Sequence, residues 1–309
     1  MKLICVVTPC YDEEDNVRDL YEQVKQVFGG LEGYCYEHIF IDNASKDKTV
    51  AILRDIAMVD KRVKVIVNAR NFGQVRSPYH AILQTNGDAV VTLAADLQDP
   101  PGLIPEFIRK WEEGYKVVVG VKAKSEESSI VFDLRRLCYR TLCRLSDVKL
   151  IEQYTGFGLY DRCVIEILRK IDDVNPYFRG LIAEIGFDSA KIEYMQPLRR
   201  KGVTKNNFYT LFDLAMLGMT SHSKVPLRLA TMLGFAIASL SLIVAAVYFV
   251  YKLLFWNNFS VGQAPLVIGI FFFSSVQLFF LGIVGEYVAS INTQVLRRPL
   301  VVERERINF

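Results

Sequence analysis

Asp96, Gln98 and Asp99 are oxygen-bearing side chains whose spacing suits a divalent cation. They follow residues 89–95, an apolar and β-branched run that is typical of a buried strand in a parallel sheet. Asp96 and Gln98 are two positions apart, so an extended backbone would direct both side chains the same way. Hard oxygen ligands of this kind suit Mg²⁺ or Mn²⁺, especially beside a diphosphate. The alternative is an ordinary strand end, closed by a polar turn with two prolines.

The segments around this strand alternate between strand and helix patterns. Strands are predicted at residues 2–8, 38–41, 63–67, 89–95 and 116–121. Helices are predicted at about 17–27, 45–58 and 102–113, with another that starts at Ser77 and Pro78 as its cap and first helical residue. This order predicts an α/β, Rossmann-like fold with a mostly parallel sheet and helices on both faces.

Polar residues follow several of these strands, and the carboxyl ends of parallel strands meet at one edge of a sheet. Besides Asp96 and Gln98, the set comprises Tyr11, Glu13, Asp42, Asn43, Asn68 and Asn71. The chain has neither the G-x-G-x-x-G nor the G-x-x-x-x-G-K-[ST] pattern that cradles phosphate on backbone amides. A metal ion and basic side chains would therefore have to neutralise a bound diphosphate.

Two long uncharged runs lie near the C-terminal end of the 309 residues. Residues 229–251 and 253–285 carry no charged side chain, and each exceeds the ~20 residues that a membrane-spanning helix needs. A polar turn at 257–265 splits the second run, which predicts helices at about 229–252 and 266–290 in a hairpin. Lysines and arginines flank the hairpin at its outer ends, so both termini are predicted to be cytoplasmic. The net charge of +3 gives no sign of a nucleic-acid partner.

The chain is thereby predicted to have four parts. Residues 1–206 would form a cytoplasmic α/β domain, 207–226 an amphipathic juxtamembrane segment, 227–292 the two transmembrane helices and 293–309 a cytoplasmic tail. The aromatic-rich pattern of 207–221 favours a helix in the membrane interface, with a core helix under the sheet as the alternative. The six cysteines show no metal-binding spacing and are expected to be free thiols.

Four motifs occur in order: Val-Val-Thr-Pro-Cys-Tyr-Asp-Glu-Glu from residue 6, Phe-Ile-Asp-Asn-Ala-Ser-Lys-Asp-Lys-Thr from 40, Asn-Phe-Gly from 71 and Ala-Asp-Leu-Gln-Asp-Pro-Pro from 95. Together they resemble the family 2 inverting glycosyltransferases, which have a GT-A fold. The two C-terminal spans narrow the resemblance to polyprenyl-phosphate glycosyltransferases, the group that includes dolichol-phosphate mannose synthase and bactoprenol glucosyltransferase. The resemblance covers essentially the whole chain.

The resemblance implies a role for individual residues. On the donor side it implies Pro9, Tyr11 and Glu13 at the base and ribose, Asp42 at the nucleoside, Asp96 and Gln98 at a Mg²⁺ or Mn²⁺ ion on the diphosphate, and Lys122, Arg199 and Lys205 at the phosphates. On the acceptor side it implies Arg135, Arg136, Arg179 and Thr204 at the lipid phosphate, with Glu184 nearby. Asp96, Asp161 and Arg199 are the catalytic candidates.

Several of these assignments have alternatives. Lys122 fits a solvated loop lysine equally well, and Asp161 fits a structural partner of Arg162. The basic stripe that includes Arg135 and Arg136 also suits contact with lipid headgroups.

Three positions depart from the pattern of the family. Ala94 replaces the first acid of the usual Asp-x-Asp motif, and Asn43 replaces a common second Asp. Gly156 stands where some relatives carry an acid that is proposed as a base. A phosphate monoester acceptor tolerates the last change, because its second pKa is near ~6 and it is already anionic at neutral pH.

The expected protein is a cytoplasm-facing membrane enzyme. It would transfer a sugar with inversion from a nucleotide donor, UDP-glucose or a similar UDP-sugar, to polyprenyl phosphate. The resemblance further implies a homo-oligomer. A processive polysaccharide synthase is one alternative, although such enzymes need more spans. A degenerate, non-catalytic sugar-nucleotide-binding membrane protein is the other, and Ala94 and Gly156 are the features that favour it.

Overall fold

The computed structural model describes residues 1–124, 151, 153–197, 208–255 and 263–309. Within this part of the chain, eight strands form one mixed sheet in the order β7-β5-β6-β4-β1-β2-β3-β8. The strands are β1 (Lys2–Cys10), β2 (Tyr34–Asp42), β3 (Val63–Asn68), β4 (Ala89–Thr92), β5 (Val117–Lys124), β6 (Tyr154–Asp161), β7 (Ser189–Met195) and β8 (Glu303–Ile307). The pairs β1–β2, β1–β4, β2–β3 and β5–β7 are parallel, whereas β6 and β8 are antiparallel to their neighbours.

Helices follow most of the strands. They are α1 (Val17–Gly29), α2 (Thr49–Val59), α3 (Gly73–Leu83), α4 (Ile104–Glu112), α5 (Arg162–Ile171), α6 (Phe178–Ile185), α7 (Phe208–His222), α8 (Val225–Leu254) and α9 (Gln263–Val295), with a 3₁₀ turn at Pro101–Leu103. The helices from α1 to α6 belong to the α/β domain, and α7 to α9 follow it.

Strand β1 lies near the centre of the sheet and is buried on both faces. Ile4 and Val6 point to one face, where they share a core with apolar residues of α1, α2 and α4. Cys5 and Val7 point to the other face and pack with α3, α5 and α6. All four side chains are fully buried, which explains why the strand is continuously apolar. The predicted α/β sheet with helices on both faces is confirmed.

Strand β6 is the main departure from the predicted topology. It lies between β4 and β5 and is antiparallel to both, so the sheet is mixed. Gly158 permits this insertion, because a Cβ there would lie 2.4 Å from the Val118 carbonyl oxygen. The antiparallel direction brings the start of β6 to the edge where β4 and β5 end.

Strand β4 ends at Thr92, earlier than the predicted residue 95. The Asp99 carboxylate accepts a hydrogen bond from the Ala94 N–H at 3.1 Å and takes the place of a neighbouring strand. The chain therefore leaves the sheet after Thr92, and Asp96 and Gln98 lie in a loop at its edge.

Helix α3 begins at Gly73, and Pro78 lies inside it, so the predicted start at Ser77 is wrong. Two contacts from other strands explain the early start. Asn43 Nδ2 donates to the Gly73 carbonyl at 3.1 Å, which positions the first turn. Ser77 Oγ accepts from Asn68 Nδ2 at 2.9 Å instead of capping the helix. Neither contact is local in sequence.

Helices α8 and α9 are long, apolar and largely exposed. Among the described residues, Phe272–Val295 in α9 is the one helical segment long and apolar enough to cross a membrane. Val225–Ser241 in α8 forms a shorter apolar segment. One candidate span at this end of the chain indicates membrane association.

The chain returns to the sheet after α9. Strand β8 pairs with β3, where Ile307 lies opposite Val65. The Ala69 N–H also donates to the Val302 carbonyl at 2.8 Å, and Arg54 of α2 forms an ion pair with Glu305. Residues 303–307 of the predicted tail are thus an edge strand of the α/β domain.

Candidate active site

A cavity of about 400 Å³ opens at the carboxyl edge of the sheet. The end of β1, helix α3 and the loops after β4 and β7 line it, together with parts of β5 and β6 and the start of α6. Five of the residues to which a donor, acceptor or metal role was assigned lie in its wall, namely Pro9, Asp96, Gln98, Lys122 and Arg179. Residues more than a hundred positions apart therefore meet at this edge. The argument from strand ends predicted Asp96 and Gln98 here, and the family resemblance implied the other three.

Asp96 and Gln98 reach the cavity through a tight turn. Leu97 has a φ of +61°, so the backbone is not extended as expected. The Gln98 N–H donates to Asp96 Oδ1 at 3.2 Å across this turn. Leu97 packs against the core, whereas the two polar side chains line the cavity. The predicted extended backbone between Asp96 and Gln98 is wrong, although both side chains do reach one site.

Asp99 is buried behind this turn with 8% of its surface exposed. Its carboxylate accepts hydrogen bonds from the Ala94 N–H at 3.1 Å and from the Tyr194 hydroxyl at 3.0 Å. Burial raises the pKa of Asp99 to about 6, and the nearby Asp96 carboxylate adds to the rise. Asp99 thus joins the loop to β7, and it also contributes to the cavity wall.

The β6 wall of the cavity is formed by backbone. Thr155 and Gly156 line it, and Gly156 has a φ of +112° that favours glycine. The Gly156 carbonyl accepts hydrogen bonds from the Tyr160 hydroxyl at 2.8 Å and from the Thr92 hydroxyl. The position at which some relatives carry an acid is therefore held here by strand geometry and hydrogen bonds.

Arg179 and Tyr177 form the wall near α6. The Arg179 guanidinium lies 5.4 Å from the centroid of the Tyr177 ring, and its Nη1 donates to the Tyr154 carbonyl at 3.4 Å. Leu214 of α7 closes the same side with an apolar surface. The cavity is therefore polar where it meets the sheet and partly apolar where it meets α7.

Glu184 lies outside the cavity. Its carboxylate is 3.2 Å from His222 Nδ1 at the end of α7, and the His222 ring is buried. Burial lowers the pKa of His222. A Cβ at Gly180 would lie 2.2 Å from the same ring, so glycine allows α6 and α7 to pack closely. Glu184 joins two helices and is not positioned as a site residue.

Tyr11, Glu13 and Asp42 belong to a second group of loops, after β1 and β2. Asp42 is fully buried and accepts hydrogen bonds from the Ser45 N–H at 3.0 Å and from the Ser45 hydroxyl. Burial raises the pKa of Asp42. The Glu13 N–H donates to Thr49 Oγ1 at 2.9 Å, which joins the turn after β1 to the loop after β2. These three residues lie at the same sheet edge, beside the cavity and outside its lining.

Asn43 holds a third strand end in place. Its Nδ2 donates to Asn71 Oδ1 at 2.9 Å and to the Gly73 carbonyl at 3.1 Å. Its Oδ1 accepts from Asn68 Nδ2 at 3.2 Å and from the Phe72 N–H at 2.9 Å. The amide both donates and accepts, so Asn43 is a structural residue of this edge rather than a weakened metal ligand.

Asp161 is far from the site, and the prediction of a catalytic role is wrong. It pairs with Ala89 at the start of β4, because β6 is antiparallel and ends at the opposite edge of the sheet. It caps α5 through the Cys163 N–H at 2.9 Å and accepts from Trp111 Nε1 at 2.7 Å and Lys116 Nζ at 2.9 Å. The predicted alternative, a structural role, is right, but the partner is Lys116. Arg162 pairs with Glu166 instead.

Other predicted residues lie outside the described part of the chain. These are Arg135, Arg136, Arg199, Thr204 and Lys205. Conversely, the cavity wall includes residues that the sequence reasoning missed, among them Gln74, Thr155, Tyr177 and Gln196. Gln196 follows β7, so the rule that polar residues cluster after strands would have found it once 189–195 had been recognised as a strand.

Four parallel strand pairings and a polar cavity at the carboxyl edge of the sheet, with Asp96 and Gln98 after β4, together define a GT-A-like α/β fold. The chain belongs to glycosyl transferase family 2, whose sequence profile matches residues 5–167.

Full-length relatives support this membership. An uncharacterised glycosyltransferase of Bacillus subtilis is 33% identical over 96% of this chain and 92% of its own length. The SfII prophage-derived bactoprenol glucosyl transferase of Shigella flexneri is 32% identical over 96% of each chain. Among solved structures, glucosyl-3-phosphoglycerate synthase of Mycobacterium tuberculosis, in complex with Mn²⁺, UDP-glucose and phosphoglyceric acid, matches with a TM-score of 0.49 and 18% identity over 71% of this chain and 78% of its own.

Proposed function

We propose that this enzyme transfers glucose from UDP-glucose to a polyprenyl phosphate at the cytoplasmic face of a membrane. The observation that carries the proposal is the composition of one cavity. Oxygen ligands, a lysine and an arginine line it on the sheet side, and Leu214 of α7 lines it on the side that leads to the apolar helices. Similarity over the full length to a bactoprenol glucosyl transferase supports the choice of sugar and acceptor.

The donor set fits a divalent cation of the Mg²⁺ or Mn²⁺ kind. Asp96 and Gln98 offer two hard oxygens in the cavity wall, and such ions commonly complete their coordination with water and substrate phosphate. Within the described residues, no group of three or more acidic, histidine or cysteine side chains is arranged to hold a metal ion. Asp96 and Gln98 are the proposed ligands because both line the cavity. When bound, the ion supplies positive charge to the departing diphosphate.

The proposed chemistry needs little proton transfer. An oxygen of the acceptor phosphate attacks the anomeric carbon, and the bond from that carbon to the diphosphate oxygen breaks on the opposite face with its electron pair. The acceptor is already an anion at neutral pH, because its second pKa is near ~6. No general base is required, which fits the backbone wall at Gly156. Catalysis then rests on positioning and on charge stabilisation.

The remaining assignments follow the family pattern. Pro9, Tyr11, Glu13 and Asp42 are proposed to bind the nucleoside, and Lys122, Arg199 and Lys205 the donor phosphates. The acceptor phosphate is proposed to be bound by Arg135, Arg136, Arg179 and Thr204. Of these, Pro9, Lys122 and Arg179 have support from their place in the cavity wall. A homo-oligomer stays a prediction.

A two-span hairpin is proposed for the membrane part, with residues 1–206 as the catalytic domain, 207–226 as the juxtamembrane segment and 227–292 as the hairpin. Strands β1 to β7 precede α8, and β8 follows α9, yet all eight belong to one sheet. Both ends of the α8–α9 pair are thereby attached to the same domain, which supports an even number of crossings, as in a hairpin. The excess of basic residues at these ends supports a cytoplasmic domain.

Transfer of radiolabelled glucose from UDP-glucose to chloroform-soluble lipid tests the proposed reaction. The purified full chain should form a lipid-linked monosaccharide when polyprenyl phosphate and Mg²⁺ or Mn²⁺ are supplied. A labelled polymer would identify a processive synthase instead. Donor binding without turnover under the same conditions would identify a non-catalytic protein. Parallel assays with other UDP- and GDP-sugars decide the sugar.

Cysteine labelling tests the topology separately. We expect Ser260→Cys, between the two apolar helices, to react with a membrane-impermeant thiol reagent in intact cells. Thr293→Cys, near the end of α9, should react after permeabilisation only. The native cysteines would first be replaced by serine. Labelling of both positions in intact cells would contradict the hairpin.

A further inference from the structure

Three arginines gather where the loop after β3 meets the segment after α9. Arg70 and Arg76 both lie near the Phe72 ring, with guanidinium carbons 4.0 Å and 5.6 Å from its centroid. Arg76 Nη2 donates to the carbonyl oxygen of Pro299, and Arg298 is the residue before Pro299. The cluster Arg70–Arg76–Arg298 is thus built from two distant parts of the chain.

Negative charge to balance this cluster is not apparent in the described part of the protein. None of the ion pairs found there involves any of the three arginines. The Nε atom of Arg76 is buried and has no hydrogen-bond partner among the described residues. Burial lowers the pKa of Arg76, and the neighbouring charges of Arg70 and Arg298 lower it further. A buried donor in a field of like charge calls for an anion.

The support of the cluster is rigid. Asn43 Oδ1 accepts the Phe72 N–H at 2.9 Å, so the ring between the two guanidiniums is fixed to the end of β2. The Pro299 carbonyl belongs to the segment that leads into β8. Guanidinium groups held in this way lose little freedom on binding an oxyanion, and their planar donors match phosphate oxygens.

The position of the cluster indicates where the anion comes from. Arg298 lies three residues beyond Val295, the last residue of the candidate span. A group at that point lies at the level of lipid headgroups if α9 crosses the membrane. Gln74 and Val75, which precede Arg76 in α3, line the catalytic cavity. An anion on the cluster would therefore lie near the end of the candidate span and beside the α3 residues that line the cavity.

We propose that Arg70, Arg76 and Arg298 bind the phosphodiester of an anionic membrane phospholipid and hold the cavity against the bilayer surface. This inference rests on the proposed membrane attachment, and it is independent of the sugar and of the acceptor. It assigns to α3 and the segment after α9 a function beyond the donor and acceptor sites.

Lipid retention by the purified full chain tests the proposal. Native mass spectrometry in a neutral detergent would compare bound phosphatidylglycerol with bound phosphatidylcholine. We expect wild-type protein to prefer phosphatidylglycerol and Arg76→Gln to bind it about fivefold more weakly, as for one arginine at an anionic surface. Arg162→Gln is the matched control, because Arg162 pairs with Glu166 on α5 and carries the same charge change.

Two further measurements keep the proposal falsifiable. Arg298→Gln changes an exposed residue and should weaken binding even if Arg76→Gln fails to fold. Equal phosphatidylglycerol retention by wild type and Arg298→Gln would overturn the proposal. A second pair of results would also overturn it. If inorganic phosphate displaced lipid from none of the proteins, and Arg76→Gln raised the KM for UDP-glucose, the arginines would serve the donor. Absence of glucose transfer in wild-type protein that retains phosphatidylglycerol normally would instead count against the proposed reaction.

Discussion

Asp99 and Asp161 are buried to nearly the same degree, with 8% and 9% of their surfaces exposed, at opposite edges of one sheet. Their pKa values nevertheless move in opposite directions. Burial raises the pKa of Asp99 to about 6. Burial also acts to raise the pKa of Asp161, but hydrogen bonds from Trp111, Cys163 and Lys116 outweigh it and lower the pKa to about 2.

The difference lies in the partners that the protein supplies. Asp161 accepts two N–H donors and a lysine ammonium, so its charge is neutralised within the protein. Asp99 accepts one N–H and one hydroxyl, and the carboxylate of Asp96 lies near enough to disfavour its charge. Charge is thus compensated by the protein at the structural edge, whereas at the cavity Asp96 disfavours the charge of Asp99 and Lys122 opposes this effect, beside the proposed cation site.

Asp96→Ala should produce the largest effect. It removes a proposed metal ligand from the cavity wall but no hydrogen bond on which the core depends. We expect glucose transfer to fall by about 10²- to 10³-fold while the melting temperature stays near that of wild type. Asp161→Asn is the control and should retain transfer. Near-normal transfer by Asp96→Ala would refute the metal assignment.

Asp99→Asn should change how stability depends on pH. The folded pKa of about 6 is above the ordinary value of 3.8, so the contribution of Asp99 is fully present below about pH 4 and is lost as the pH rises through about 6. We expect the wild-type free energy of unfolding to fall by at most about 3 kcal/mol over this range.

Denaturant titrations in detergent at several pH values would measure this change. The asparagine mimics the protonated acid, so the difference in free energy of unfolding between wild type and variant gives the pH-dependent contribution of Asp99. A difference that does not vary with pH would show that Asp99 is not buried as a neutral acid.

Asp161→Ala should destabilise the protein without affecting the reaction. It removes the cap of α5 and leaves the Trp111 N–H without its acceptor. We expect a loss of about 2 kcal/mol in the free energy of unfolding at neutral pH. The kcat for glucose transfer, measured well below the melting temperature, should be unchanged. A specific loss of kcat in a folded variant would return Asp161 to the list of catalytic candidates.

The sequence was sufficient for the β1–β4 half of the fold. Each strand there is a parallel, doubly buried run followed by a helix, so local patterns predicted the elements. The rule about strand ends predicted that Asp96 and Gln98 lie at the site, whereas Pro9 was implied by the family resemblance. The limits of β4 and α3 were misjudged because Asp99 and Asn43 set them through contacts that are not local.

The arrangement of the antiparallel half of the sheet could not be predicted from local patterns in the same way. The direction of β6 decides which of its ends carries site residues, and nothing in residues 154–161 states that direction. Residues 154–161 were not predicted as a strand, and Asp161 was a catalytic candidate from the family resemblance alone. The fold places Asp161 at the opposite edge, and Thr155 and Gly156 in the cavity wall. Likewise, β8 follows two apolar helices, so its return to β3 appears only in the assembled sheet.

Lys116→Met should give the smallest effect and sharpen the comparison most. The ammonium lies 2.9 Å from Asp161 Oδ2, but its side chain is 45% exposed, so solvent screens the pair. We expect less than about 1 kcal/mol of destabilisation. The pKa of Asp161, followed by NMR, should rise from about 2 yet stay below its ordinary value, because the Trp111 and Cys163 N–H donors remain.

The outcome decides what separates the two edges. A small rise in the Asp161 pKa means that neutral N–H donors are sufficient to hold a buried carboxylate in its charged form. A rise above the ordinary value means that the cation is required. In that case hydrogen bonds alone do not hold the Asp99 carboxylate in its charged form, and positive charge beside Asp96 and Asp99, from Lys122 or from a bound cation, is needed to do so.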